Sequence, residues 1–116
     1  MRKRILAALA GLSAGVLLCG CDSPESAFDE WKEAILDGKI DKANSRTVET
    51  AHALNGIIAQ GLKRDDKARG DFRQLAVVDE KIDGNKAVLR IKDAEGRITD
   101  FEMVKEDGKW KVAPRK

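Results

Sequence analysis

The sequence predicts an α+β domain: two N-terminal helices packed on a four-stranded antiparallel meander sheet. Two observations carry this. Apolar residues recur at helical spacing as far as about residue 63, and from Phe72 the period changes to two. Three acid-Gly pairs, Asp83-Gly84, Glu95-Gly96 and Asp107-Gly108, then separate the alternating runs, as hairpin turns do.

The first expected helix runs from Pro24 to Asp37. Asp22 or Ser23 can cap it, Pro24 suits its first turn, and Glu25 favours the positive end of the helix dipole. Phe28, Trp31 and Ile35, with Ala27 and Ala34, form its apolar stripe, and Gly38 is its stop. The second is expected over Arg46–Lys63, with Val48, Ala51, Leu54 or Asn55, Ile58 and Leu62 on one stripe and Ile57 widening it. Gly56 and Gly61 each weaken that helix by about 1 kcal/mol relative to Ala, which points to a bend or a close packing contact. Lys63 to Gly70 is a mixed-charge run that reads as a frayed end and a solvated loop, a contact with anionic lipid being the other reading.

The strands follow. Leu75 and Val77 alternate with Ala76 and Val78, and Ile82 leads to the first turn. Ala87, Leu89 and Ile91 face one way in the second strand; Thr99, Phe101 and Met103 do so in the third. Lys109-Trp110-Lys111-Val112 is a short last strand whose lysines guard an edge. At 116 residues the chain supports one core. It is 42% hydrophobic and 36% charged, which argues against wholesale disorder.

The segment ahead of this domain reads as an address. Met1-Arg2-Lys3-Arg4 is basic, and Ile5 to Leu18 is an uncharged apolar run of 14 residues. Extended through Gly20 the run reaches 16, short of the roughly 20 that a membrane-crossing helix needs. A basic start followed by an apolar stretch of this length is a secretory signal. Residues 1–20 are thus the expected signal peptide, 21–23 a tether, 24–113 the domain and 114–116 a tail. Removing 1–20 takes away three basic side chains and no acidic one, leaving 19 basic against 20 acidic. The near-neutral remainder removes the main compositional argument for nucleic acid as a partner.

Leu18-Cys19-Gly20-Cys21 resembles the bacterial lipobox. The resemblance implies cleavage between Gly20 and Cys21, a diacylglyceryl group on the Cys21 thiol, and an acylated new amino terminus. Cys19 fits less well because Leu18 is bulky for the place before the cut. The implied location is a cell membrane, facing the periplasm or the cell exterior. Asp22, next after the lipidated residue, resembles the sorting signal that retains lipoproteins in the inner membrane of enteric-type bacteria; capping the first helix is its other reading. Several acyl chains on one residue hold a protein on a bilayer stably, whereas one alone is marginal.

The element order behind the lipobox, the early Phe28/Trp31 helix and the ending Phe101-x-Met103-Val104-Lys105-Glu106-Asp107-Gly108-Lys109-Trp110-Lys111-Val112 resemble small bacterial lipoproteins carrying a domain of unknown function. These belong to the nuclear transport factor 2-like, or cystatin-like, superfamily. The resemblance implies a cone-shaped fold that serves enzymes and binding modules alike.

The chemistry-bearing residues are few. There is no Tyr and a single His, His52, with no acidic partner identified to orient it as a general base, although Glu49 lies one turn away. Asp100 and Glu102 share a strand face and read as the wet side of a sheet. Trp31 and Trp110 are aromatics of the kind that line pockets, so Trp31, His52 and Trp110 are the candidate ligand or partner contacts, with core packing as the competing role for both tryptophans. No catalytic set, no metal site and no cofactor is expected. The expected function is a non-enzymatic, membrane-anchored module that binds an envelope protein or a small apolar ligand. The alternatives are an isomerase- or hydratase-like enzyme using His52 or a carboxylate inside the cone, and an exclusion or immunity lipoprotein.

Overall fold

The computed structural model describes residues 22–114. The expected signal peptide, with Gly20, the expected lipidation residue Cys21 and the last two residues of the expected tail lie outside the described residues. What is described is an α+β fold in which four helices precede an antiparallel sheet.

Helix α1 spans Pro24–Asp37, as the sequence predicts. Ser23 is its N-cap: Ser23 Oγ accepts from Ser26 N at 3.1 Å, and Ser23 N donates to Ser26 Oγ at 3.0 Å. This reciprocal pair satisfies two donors that a helix start leaves open. At the other end Gly38 takes φ +74°, a conformation that costs glycine little, and the chain turns off the helix axis.

Helix α2, Ile40–Ser45, is an element the sequence reading did not anticipate. The expected second helix also begins later than Arg46. Arg46 O accepts from Val112 N at 2.8 Å, and Val48 N donates to Val112 O at 3.0 Å. Arg46 O and Val48 N are spent on the last strand, so helical bonding resumes only with a 3-10 turn at Glu49–Ala51 and then α3, His52–Arg64. In α3 the residues turned inward are Leu62 and, of the pair 54 and 55, Asn55 at 1% exposure, while Leu54 is 40% and Ile57 67% exposed. Ile57 therefore lies off the stripe rather than widening it. Gly56 and Gly61 pass through a continuous helix, and nothing lies within 4 Å of where a Cβ would stand on either. Neither marks a close packing contact.

The charged run after Lys63 is not a loop. Asp65 caps α4, Asp66–Arg73, its Oδ1 accepting from Lys67 N and Ala68 N at 3.1 Å each. Phe72, taken in sequence for the start of the alternating region, belongs to this helix. Its ring packs 5.6 Å from that of Trp31.

Strands β1 (Ala76–Asp83), β2 (Lys86–Lys92), β3 (Ile98–Glu106) and β4 (Lys109–Val112) form a meander in the order β1-β2-β3-β4. Gly84, Gly96 and Gly108 all have positive φ, and Asp107 joins Gly108 at φ +54°, the pair that a tight two-residue hairpin demands. Ala87, Leu89 and Ile91 of β2 register with Met103, Phe101 and Thr99 of β3. Ala87, Leu89, Ile91 and Met103 are buried beneath the α1 stripe, with Phe101 packed against them. The opposite face carries Arg90 and Asp100, 3.7 Å apart and both exposed, as a half-covered antiparallel sheet requires. A register shift between Val77 and Asp79 bends β1.

Because the site of a Cβ is open at Gly61 and its backbone is helical, Gly61→Ala is expected to stabilise the domain by about 0.5–1 kcal/mol. Urea unfolding measures this; a loss of stability would mean that the open space is needed.

Candidate functional site

Asp22 is where the domain meets the segment ahead of it, and it does not cap α1. Its Oδ1 accepts from Arg46 Nη1 at 2.6 Å and its Oδ2 from the backbone N–H of Trp110 at 2.8 Å. Arg46 also donates through Nε to Glu30 Oε1 at 2.8 Å and through Nη1 to Trp110 O at 3.3 Å. The Arg46 side chain is 13% exposed, and those of Asp22 and Glu30 are 22% and 42% exposed. Burial works against the guanidinium charge, but the hydrogen bonds and charges of Glu30 and Asp22 outweigh it and raise the Arg46 pKa above its ordinary value. One arginine thus ties the first described residue to α1, to the end of α2 and to β4.

Trp31 and Trp110 are each 4% exposed and lie within the hydrophobic core. Trp31 is the junction of an aromatic group, with ring centroids 5.6 Å from Phe28, 5.6 Å from Phe72 and 6.3 Å from Phe101. Its Nε1 donates to Asn55 Oδ1 at 2.9 Å. Asn55 Nδ2 in turn donates to Asn44 Oδ1 at 2.9 Å and Thr47 Oγ1 at 3.1 Å, and Thr47 Oγ1 donates to Ala43 O at 2.7 Å. The buried amide therefore has both its hydrogens and its oxygen engaged, the condition under which a polar group is tolerated in a core. Sequence periodicity left Leu54 and Asn55 as equals at this position. Two partners, Asn44 in α2 and Thr47 in the turn after it, together with Trp31 on α1, were the missing signal.

His52 is half-buried at the start of α3, its Nε2 3.1 Å from Thr47 O. A carbonyl only accepts, so this nitrogen carries the proton and the ring ties the helix start to the preceding turn. Trp31, His52 and Trp110 thus do not converge on a common space. Between α1 and the sheet the volume is occupied by Phe28, Trp31, Leu89, Ile91, Phe101 and Met103.

Two of the depressions among the described residues lie outside that core. One, of about 480 Å³, lies where α1 ends against α3 and α4, lined by Ile35, Leu36, Asp37, Ala59, Lys63, Asp66 and Arg69. Arg69 Nη2 donates to Leu36 O at 2.5 Å, placing a cation at the negative end of α1. Its charges are mixed in sign. The other, of about 250 Å³, has an apolar floor of Leu62, Ala68, Phe72 and Leu75 beneath the β2–β3 turn. Asp93 shapes that turn by accepting from the N–H groups of Glu95 and Arg97 and from Arg97 Nε, at 2.9, 2.9 and 3.0 Å. The bond from the Arg97 backbone foremost, with those other donors, holds the Asp93 carboxyl below its ordinary value. Among the described residues no group of His, Cys, Asp or Glu is placed to hold a metal, and no helix is long and apolar enough to cross a membrane.

No family model, no curated protein and no solved structure matches the chain.

Two expectations follow. Asn55→Ala leaves the Trp31 indole N–H without its acceptor inside the core and should cost about 1–3 kcal/mol in urea unfolding; a neutral result would mean that the network is dispensable. At β1, Glu80 Oε2 accepts from Glu25 N at 3.2 Å. Partial burial of that carboxylate, with Glu25 and Asp79 nearby, raises its pKa above the ordinary 4.5 despite the hydrogen bond. A raised acid pKa means that the charged form disfavours the fold at neutral pH and that the cost disappears as pH falls through the raised value. Glu80→Gln should therefore raise Tm at pH 7, with the gain shrinking on acidification; a gain that grows towards acid would reverse the sign.

Proposed function

We propose that this chain is a lipid-anchored extracytoplasmic lipoprotein whose cone-shaped, cystatin-like domain is a non-enzymatic binding module. The observation that carries the reading is Leu18-Cys19-Gly20-Cys21, set behind a basic start and an uncharged run. The Cys21 thiol takes the diacylglyceryl group, and cleavage before it makes that residue the mature N-terminus. The binding role is supported by the aromatic and aliphatic side chains that fill the space between α1 and the sheet, and by the commitment of His52 and Asn55 to structural hydrogen bonds. The partner is an envelope protein or a small apolar ligand. For the latter, the depression floored by Leu62, Ala68, Phe72 and Leu75 supplies an apolar seat.

In an enteric-type host Asp22 adds retention in the inner membrane. The same carboxylate is held by Arg46 and Trp110, so sorting and folding draw on one group.

Metabolic labelling with a fatty acid should mark the wild type and leave Cys21→Ser as an unlabelled, uncleaved precursor. Label persisting in the variant would defeat the assignment. Membrane fractionation of the labelled protein in an enteric-type host should place it with the inner membrane, and recovery with the outer membrane would remove the sorting role of Asp22.

A further inference from the structure

The anchor proposed above is one residue away from a side chain that the fold grips. Asp22 is bonded to Arg46 at 2.6 Å and to the Trp110 N–H at 2.8 Å, and two residues later α1 begins. Trp110 is two residues past the Asp107-Gly108 turn, a distance of about 7 Å along a strand. At the start of α1, Glu25 N bonds Glu80 Oε2, and Glu80 is four residues before Gly84, about 13 Å along β1. Register places both turns at one end of the sheet, since Asp83 pairs with Lys86, Lys86 with Val104, and Glu106 with Lys109. The β2–β3 turn at Asp93–Arg97 is at the other end, about 20 Å away along β2.

Resting on the lipid-anchor reading, we infer that the bilayer is the occupant of the sheet end carrying the β1–β2 and β3–β4 turns, and that Arg46 is the positioning residue that holds the domain upright on it. A flexible tether would let the domain tumble above the membrane. Here the chain from Cys21 to Asp22 is one peptide step of about 3.8 Å before it is fixed, so the acyl chains pull on the folded domain itself. Charge does not set this orientation. The exposed Lys81, Lys86, Lys105 and Lys109 are balanced by Glu80, Asp83, Glu106 and Asp107 at the same end. The orientation is therefore the same on neutral and on anionic bilayers.

The test uses the full lipidated protein reconstituted in phosphatidylcholine vesicles, with and without phosphatidylglycerol, and a lipid carrying a headgroup quencher. A fluorophore is attached at Asn85→Cys or, separately, at Ala94→Cys, the Cys21 thiol being blocked by its lipid. The label at 85 should be quenched several-fold more than that at 94 in both kinds of vesicle. Inserting six Gly and Ser residues between Cys21 and Asp22 leaves the clasp intact but adds roughly 13 Å of slack, and should bring the two labels together. Arg46→Ala should do the same with no insertion. Equal quenching in the uninserted protein overturns the inference, as does a difference that survives the insertion or appears only with phosphatidylglycerol. Protein that fails to float with the vesicles overturns the anchor reading and this inference with it; flotation with equal quenching overturns this inference alone.

Discussion

The indole of Trp31 touches every layer of the domain. Its ring meets Phe28 on its own helix, Phe72 on α4 and Phe101 on β3, and its one polar atom reaches Asn55 on α3. Aromatic pairs at these separations contribute beyond the area they bury, and a buried N–H demands an acceptor. The two requirements together fix where α3 and α4 sit relative to α1. Asn55 must face inward to accept the indole hydrogen bond, so α2 and Thr47 must be close enough to satisfy the amide hydrogens. The helical layer is specified by one side chain that is mostly hydrocarbon and in one place polar.

That specification also fills the space beneath α1. A substrate cavity needs its deepest volume open and lined by groups with spare hydrogen-bonding capacity. Here that volume is filled with aromatic and aliphatic side chains, and the polar atoms nearest to it are engaged with one another. Among the described residues, a groove of mixed charge at the end of α1 and an apolar-floored depression near the β2–β3 turn lie outside that volume.

Much of this was legible in the residues. Helix α1 and the four strands follow from patterns written in adjacent positions: a Ser-Pro start, a 3.6-residue stripe, alternation, and acid-Gly turns. The helices that differ do so because their determinants are distant in sequence. Residues 46–48 stay out of the helix because β4, more than 60 residues later, takes Arg46 O and Val48 N. Helix α4 carries too much charge to show an apolar stripe, yet Asp65 caps it, and Ala68 and Phe72, four apart, give it a narrow inward edge. The role of Asp22 was out of reach for the same reason, since its partners are 24 and 88 residues away.

The last strand is at the edge of the sheet, but residues 46–48 lie along it, with a parallel bridge between Thr47 and Val112. The other edge, β1, is interrupted by its bulge and carries Asp79, Glu80 and Lys81 in succession. Molecules confined to a surface meet one another far more often than molecules free in three dimensions, and bare strand edges on such neighbours would zip into ribbons. With one border roofed by its own backbone and the other kinked and charged, this domain can be crowded on a surface without polymerising.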